Sequence, residues 1–156
     1  MKKILFICLG NICRSPAAEA VYKAYLEKVG ETAGLFVDSA GTSSFHEGNP
    51  ADARMREHAS KRGIDITSTS RGVRRDDFEE FDLLITMDNS NFNILSNKAI
   101  GDDQKKKIIP FCDFLESRSE SEVPDPYYGG DQGFEDVLDI LDDGMNKLHE
   151  KVKNLS

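Results

Sequence analysis

The chain alternates between two hydrophobic periods. Ile4 to Cys8 is a continuous apolar run behind Lys2 and Lys3, the pattern of a strand buried on both faces of a parallel sheet. From Ser15 the period lengthens. Val21, Tyr22, Tyr25, Leu26 and Val29 recur at helical steps, and Gly30 closes the segment. Ser15 is placed as the N-cap and Pro16 at the first helical position. Leu35-Phe36-Val37 predicts a short strand, followed by a loop from Asp38 to Gly48. Asn49 and Pro50 open a helix through Ala53, Met55 and Ala59, which Gly63 ends. Leu83 to Met87 predicts a third strand, and Asp88 or Asn89 caps a short helix carrying Phe92 and Leu95. Ile108 to Phe111 predicts a fourth strand. A last helix carries Phe134, Val137, Leu138, Leu141, Met145, Leu148 and Val152 as one stripe. Alternating strands and helices imply an α/β fold: a parallel four-stranded sheet, right-handed crossovers and helices on both faces. The expectation is one domain over residues 1–156. The turn after the first strand then lies at the carboxyl end of the sheet, where open α/β folds bind ligands.

Composition narrows the classes. The 156 residues are 38% hydrophobic and 31% charged, with a formal net charge of −8. That balance suits a soluble globular protein and disfavours nucleic-acid binding, since no basic face offsets the acid. No apolar stretch has membrane-spanning length, and the apolar stretch after Lys3 is too short for a secretory signal. Three cysteines, an odd number, argue against a disulfide framework and for a reducing compartment. The expected location is therefore cytoplasmic, with neither a membrane nor a nucleic acid as partner.

The segment Cys8-Leu9-Gly10-Asn11-Ile12-Cys13-Arg14-Ser15 forms the strand-to-helix turn. A helix N-terminus offers unpaired amides and partial positive charge, which together make an anion site. Gly10 and Asn11 tolerate positive φ, so successive amides can curl inward as a nest. Cys8 sits at the floor and Arg14 at the rim, where a planar guanidinium matches two phosphate oxygens. A cysteine beside a helix N-terminus and an arginine can titrate at roughly 3.5–7.5, and Ser15 stands close enough to donate a hydrogen bond to its sulfur. The plainer reading of Cys8 is an inert core thiol, and the company of Gly10, Asn11, Arg14, Ser15 and Pro16 counts against it. The turn has neither the Gly-Lys-Ser/Thr ending of an NTPase phosphate loop nor GxGxxG spacing.

Residues Cys8 to Pro16, CLGNICRSP after an N-terminal strand, resemble the signature of the low-molecular-weight protein tyrosine phosphatases. Further resemblance lies in Asp125-Pro126-Tyr127-Tyr128-Gly129-Gly130, Asp38-Ser39-Ala40-Gly41-Thr42 and Met87-Asp88-Asn89-Ser90-Asn91, and it covers essentially the whole chain. The resemblance implies a phosphatase acting on phosphotyrosine-containing proteins and small aryl phosphates. Cys8 is then the nucleophile, Arg14 the phosphate clamp and Asp125 the acid that protonates the leaving group, with burial and the bound dianion raising its proton affinity. Leu9, Gly10, Asn11, Ile12, Cys13 and Ser15 line the substrate site, and Ser39 supports it by bonding to Asn11. Phe45, Tyr127 and Tyr128 supply an apolar rim, with His46 beside them as a rim residue rather than a catalyst. Inorganic phosphate and vanadate are the expected inhibitors, and no cofactor or metal is called for. Many relatives carry tryptophan or tyrosine where Phe45 stands, and a histidine where Ser68 stands.

Two rival functions share parts of this pattern. An arsenate reductase of the same fold needs a relay of further cysteines, yet beyond Cys13 only Cys112 remains. A phosphotyrosine-binding module would have lost Cys8 or Asp125. Cys112 reads as a core residue at a strand end. Cys13 reads either as a small buried side chain or as a redox partner that traps oxidised Cys8 as a disulfide.

Overall fold

The computed structural model describes residues 1–155, and the side chain of Tyr128 lies outside that description. Strands β1 (Lys2–Cys8), β2 (Leu35–Gly41), β3 (Leu83–Thr86) and β4 (Ile108–Pro110) form one sheet in the order β2-β1-β3-β4. Every pairing is parallel, with Cys8 opposite Gly41 and Ile7 opposite Thr86. The helices are α1 (Arg14–Val29), α2 (Ala53–Ser60), α3 (Asp77–Glu80), α4 (Asn89–Lys98), α5 (Gly101–Lys105) and α6 (Gly130–Lys153). Two 3-10 turns, Phe111–Phe114 and Pro126–Tyr128, complete the chain.

Strand alternation sorts β1 between two cores. Ile4, Phe6 and Cys8 face α1, α2 and α6, packing with Tyr22, Met55, Phe134 and Leu138. Leu5 and Ile7 face α3 and α4, packing with Phe78, Phe81 and Leu95. The unbroken apolar run is what a strand covered by helices on both sides requires. The long stripe of α6 lies over the first core and the second 3-10 turn precedes it directly. Gly144 lets α6 approach: a Cβ there would stand 2.6 Å from the ring of Phe111.

The fold class matches the expectation, while several boundaries move. Helix α1 begins at Arg14 with Cys13 as its N-cap residue, so Ser15 is not the cap and Pro16 is third in the helix. Proline costs nothing there either, because amides of the first turn have no intrahelical acceptor. Asp38 to Gly41 belong to β2, not to a loop, because parallel pairing with β1 continues to Cys8. Asp52, rather than Asn49 or Pro50, opens α2 by accepting the amides of Arg54 and Met55 at 2.8 and 3.3 Å. Asp88 does cap α4, in a reciprocal capping box with Asn91. β3 and β4 each end one residue earlier than the apolar runs suggest.

Candidate active site

Cys8 ends β1 at the top of the sheet and is only 2% exposed. Its Sγ lies 3.0 Å from Ser15 Oγ. Asn11 Nδ2 donates to that same oxygen at 2.7 Å, which leaves the serine proton for the sulfur or for the more distant carbonyl of Ala40 at 3.4 Å. The serine is pulled from the cap position because its hydroxyl serves Cys8.

The loop from Leu9 to Cys13 is held by its carbonyls. Thr42 and Ser43 amides bond the carbonyls of Cys8 and Leu9 at 2.9 Å, Ser70 Oγ bonds Gly10 at 3.0 Å, and the Asp52 amide bonds Ile12 at 2.8 Å. Among the described residues no acceptor meets the amides of Gly10, Asn11, Ile12 or Cys13. With the carbonyls held from outside, those amides are left without partners next to Cys8, and a concave set of free N–H groups binds anions. The left-handed residue that makes the curl is Asn11, φ +55°, and not Gly10. Gly10 is small for another reason: a Cβ there would sit 3.0 Å from His46 Cδ2. Asn11 keeps its conformation because its side chain is held at both ends, by Ser15 and by the Arg71 amide at 3.0 Å.

Arg14 is 4% exposed and is anchored through Nη1 alone, to Asp88 Oδ2 at 2.7 Å and to the Val123 carbonyl at 3.0 Å. Among the described residues Nε and Nη2 have no acceptor, so one fork of the guanidinium is fixed while the other is available. Burial works against its charge. The nearby Cys8 sulfur, the hydrogen bond and charge of Asp88, and Asp125 outweigh burial and hold its pKa above the ordinary arginine value.

Cys8, Leu9, Gly10, Ile12, Cys13, Arg14, Phe45, Asp125 and Tyr127 line one cavity of about 410 Å³, together with Ser43 and His46. Leu9, Phe45 (85% exposed) and Tyr127 (58% exposed) stand as large apolar groups around its mouth. Asn11 and Ser15 lie behind the loop as braces. Tyr128, expected at the rim, has its side chain outside the described residues.

Three expectations need correction. Ser39 does not bond Asn11; its hydroxyl donates to Glu19 Oε1 at 2.7 Å, beneath the loop, and Arg71 holds Asn11 instead. Asp125 is exposed rather than buried, its Oδ1 accepting the Tyr127 amide at 2.9 Å within its own turn. Cys112 lies half-buried in a 3-10 turn beyond β4, not at a strand end. Cys13 is buried, and burial first, then the negative charges of Asp52, Cys8 and Asp125, push its thiol up to about 12 against a smaller opposing effect of Arg54. The two loop thiols are thus unlike: one touches a serine hydroxyl, the other stays protonated.

Residues the sequence reading missed are those that hold the loop from outside, Asp88 on Arg14, Arg71 on Asn11 and Ser70 on Gly10, and Arg54, which lies over the Tyr127 ring. Asp88 was visible as a helix cap and within a family landmark. The others carry no local pattern, because their partners are far away in the chain.

A parallel sheet with a cysteine at the end of its central strand, under free amides and a fixed guanidinium, defines a phosphate-handling cysteine site. A model of the family described as low molecular weight phosphotyrosine protein phosphatase matches residues 3–155. A putative low molecular weight protein-tyrosine-phosphatase of Synechocystis is 47% identical over 147 residues, covering 94% of this chain and 93% of that protein. The low molecular weight phosphotyrosine protein phosphatase of Schizosaccharomyces pombe is 38% identical over 148 residues, covering 94% of each. The crystal structure of a protein tyrosine phosphatase from Entamoeba histolytica, with Hepes in its active site, superposes with a TM-score of 0.95 at 46% identity, covering 98% of this chain and 97% of that one. A Drosophila arginine phosphatase superposes with a TM-score of 0.89 at 29% identity, with both chains covered in full. The chain belongs to the low molecular weight phosphotyrosine protein phosphatase family.

Proposed function

We propose that the protein hydrolyses phosphotyrosine in proteins, and small aryl phosphates, through a phosphocysteine on Cys8. The observation that carries this reading is the cavity floor: Cys8 in the same lining as Gly10, Ile12 and Cys13, whose amides have no acceptor among the described residues, with the open fork of Arg14 beside it. The phosphoryl oxygens would take those amides and Nε and Nη2 of Arg14. The substrate ring would lie among Leu9, Ile12, Phe45 and Tyr127.

In the first step the Cys8 thiolate attacks phosphorus in line, a P–S bond forms, and the P–O bond to the aryl group breaks. Asp125 gives its proton to the departing oxygen. In the second step the ionised Asp125 takes a proton from water, which attacks phosphorus. The P–S bond breaks and inorganic phosphate leaves. Donors placed on the developing charge are worth about 10²–10³ in rate each, and a positioned acid about 10²–10⁴. The Ser15 proton, directed at Sγ by the Asn11 amide, stabilises sulfur as the leaving group of the second step. Cys8, Arg14, Asp125, Ser15 and the loop together supply the groups that both steps use.

An apolar mouth favours an aromatic phosphate over the polar phosphoguanidinium of phosphoarginine. The relay of an arsenate reductase finds no support, because Cys112 is not among the residues that line the cavity. The substrates envisaged are phosphotyrosine proteins in the cytoplasm, and among the described residues no helix is long and apolar enough to cross a membrane. Hydrolysis of para-nitrophenyl phosphate and of a phosphotyrosine peptide by wild type, Cys8→Ser and Asp125→Ala tests the assignment. Loss of turnover in the first variant and a drop of about 10²–10⁴-fold in the second are expected. Phosphate and vanadate should compete with substrate, and full activity of Cys8→Ser would remove the mechanism.

A further inference from the structure

The turn that carries Asp125 must hold a carboxyl over the cavity. Asp125 Oδ1 accepts the Tyr127 amide, within the turn itself. The turn is seated on the first turn of α6 by glycine contacts. A Cβ on Gly133 would stand 3.0 Å from the Pro126 carbonyl oxygen, and one on Gly129 would stand 2.9 Å from Gly133 Cα. The Asp125 turn and the start of α6 therefore move as one body. What fastens that body to the rest of the protein at this end decides where the carboxyl stands.

The buried stripe of α6 packs on the core, and at this end the helix is fastened to α2 as well. His58 is buried, with Nδ1 hydrogen-bonded to the Glu135 carboxylate and Nε2 lying 3.3 Å from Asp131 Oδ1. Both carboxylates belong to the first two turns of α6. The imidazole also stacks on Phe134, ring centroids 5.5 Å apart and planes 9° from parallel. Both nitrogens can donate at once only in the imidazolium form. The charged groups around it are Asp131 and Glu135 from α6 and Arg62 from the turn that follows α2, which bonds Glu135 Oε1 at 2.7 Å and Asp139 at 2.9 Å. Arg54, on α2 itself, lies 5.0 Å from the Phe134 ring and 5.1 Å from the Tyr127 ring, and its own guanidinium is fixed by Asp52 at 3.2 Å.

We propose that His58 is a positioning residue for the reaction: by clamping the start of α6 onto α2 it sets the place of the Asp125 carboxyl above Cys8. It touches no substrate. The proposal rests on Asp125 being the leaving-group acid. A histidine that merely stabilised the fold would lower thermal stability and slow all substrates alike. A histidine that positions the acid must instead change how the rate depends on the leaving group, because a poor leaving group needs the proton most.

The test is kcat/KM for a series of substituted phenyl phosphates, from para-nitrophenyl to phenyl phosphate, in wild type, His58→Gln, Asp131→Asn and Asp125→Ala. His58→Gln is expected to lose about tenfold more on phenyl phosphate than on para-nitrophenyl phosphate, a part of the ~10²–10⁴-fold that a placed acid supplies. Asp131→Asn is expected to shift the same way by less. The Asp131 side chain is 94% exposed, so this variant keeps its fold and reports even where His58→Gln is poorly folded. A uniform loss across the series in both variants, with Asp125→Ala showing the steeper dependence, overturns the role of His58 alone. An unchanged dependence in Asp125→Ala overturns the acid assignment and the positioning role with it.

Discussion

At the scale of single residues, the site is made by side chains that hold other groups in place. Arg14 is aimed by Asp88, whose carboxylate takes one nitrogen and leaves the other fork facing the cavity. Asp88→Ala should therefore keep the arginine but lose its direction, lowering kcat/KM on the order of 10²-fold, the scale of a small misplacement of a binding group. Asn11 combines a left-handed φ of +55° with two side-chain hydrogen bonds. Asn11→Ala removes the bonds and leaves the strain, about 1–3 kcal/mol, so thermal denaturation should show Tm lower by several degrees. Cys13, pushed up to about 12, has almost no thiolate at neutral pH. Iodoacetamide at pH 7 should leave it unlabelled in the folded protein and label it after denaturation, as peptide mass mapping would show.

Much of this scale was legible from the chain alone. Cys8, Arg14 and Ser15 fall within one turn, so their spacing states their geometry, and the Cys8–Ser15 bond follows from it. What lay beyond reach depends on contacts across the fold. Ser39 was expected on Asn11, yet β2 continues past Asp38 and carries Ser39 to Glu19 of α1. No local pattern encodes how far a strand pairs, nor that Arg71, sixty positions on, supplies the amide that Asn11 accepts.

Among elements, the decisive relation is between α6 and what lies beneath it. Gly144 allows the helix to meet the buried Phe111 ring. Gly144→Ala gains about 1 kcal/mol of helix propensity, but its methyl would overlap a ring with no room to withdraw, at about 1–3 kcal/mol. The close approach of 2.6 Å puts the cost at the upper end, so urea denaturation should show net destabilisation. The α2–α6 seam has a pH signature. The Arg62 hydrogen bond, against the opposing effect of desolvation, and then the His58 bond hold the Glu135 carboxyl below the usual carboxylate range. A depressed folded pKa contributes stability above the unfolded value, near 4.3, and that contribution is lost as pH falls through the folded value. Glu135→Gln should thus flatten the fall of Tm with acid below about pH 4 relative to wild type. The period of α6 announced its buried stripe. The short helices α3 and α5 went unseen, being too brief for periodicity to register.

For the molecule as a whole, topology brings residues from distant parts of the chain into one cavity. Parallel strands put every βα turn at the same edge, so the loop after β1 meets Ser43, Phe45 and His46 from the loop after β2 and Asp88 from the end of β3. The Asp125 turn arrives from the other end of the sequence, just ahead of α6. A net charge of −8 does not prevent an anion from binding here, because the loop amides and one guanidinium act at contact distance while surface carboxylates are screened beyond about 10 Å. The most direct test is rapid-quench peptide mapping of the Asp125→Ala protein mixed with para-nitrophenyl phosphate, in which the slowed second step lets the intermediate accumulate. The account requires the phosphoryl group on the peptide bearing Cys8, attached to sulfur. Phosphate carried on any other residue, or turnover with no covalent adduct at all, would contradict it.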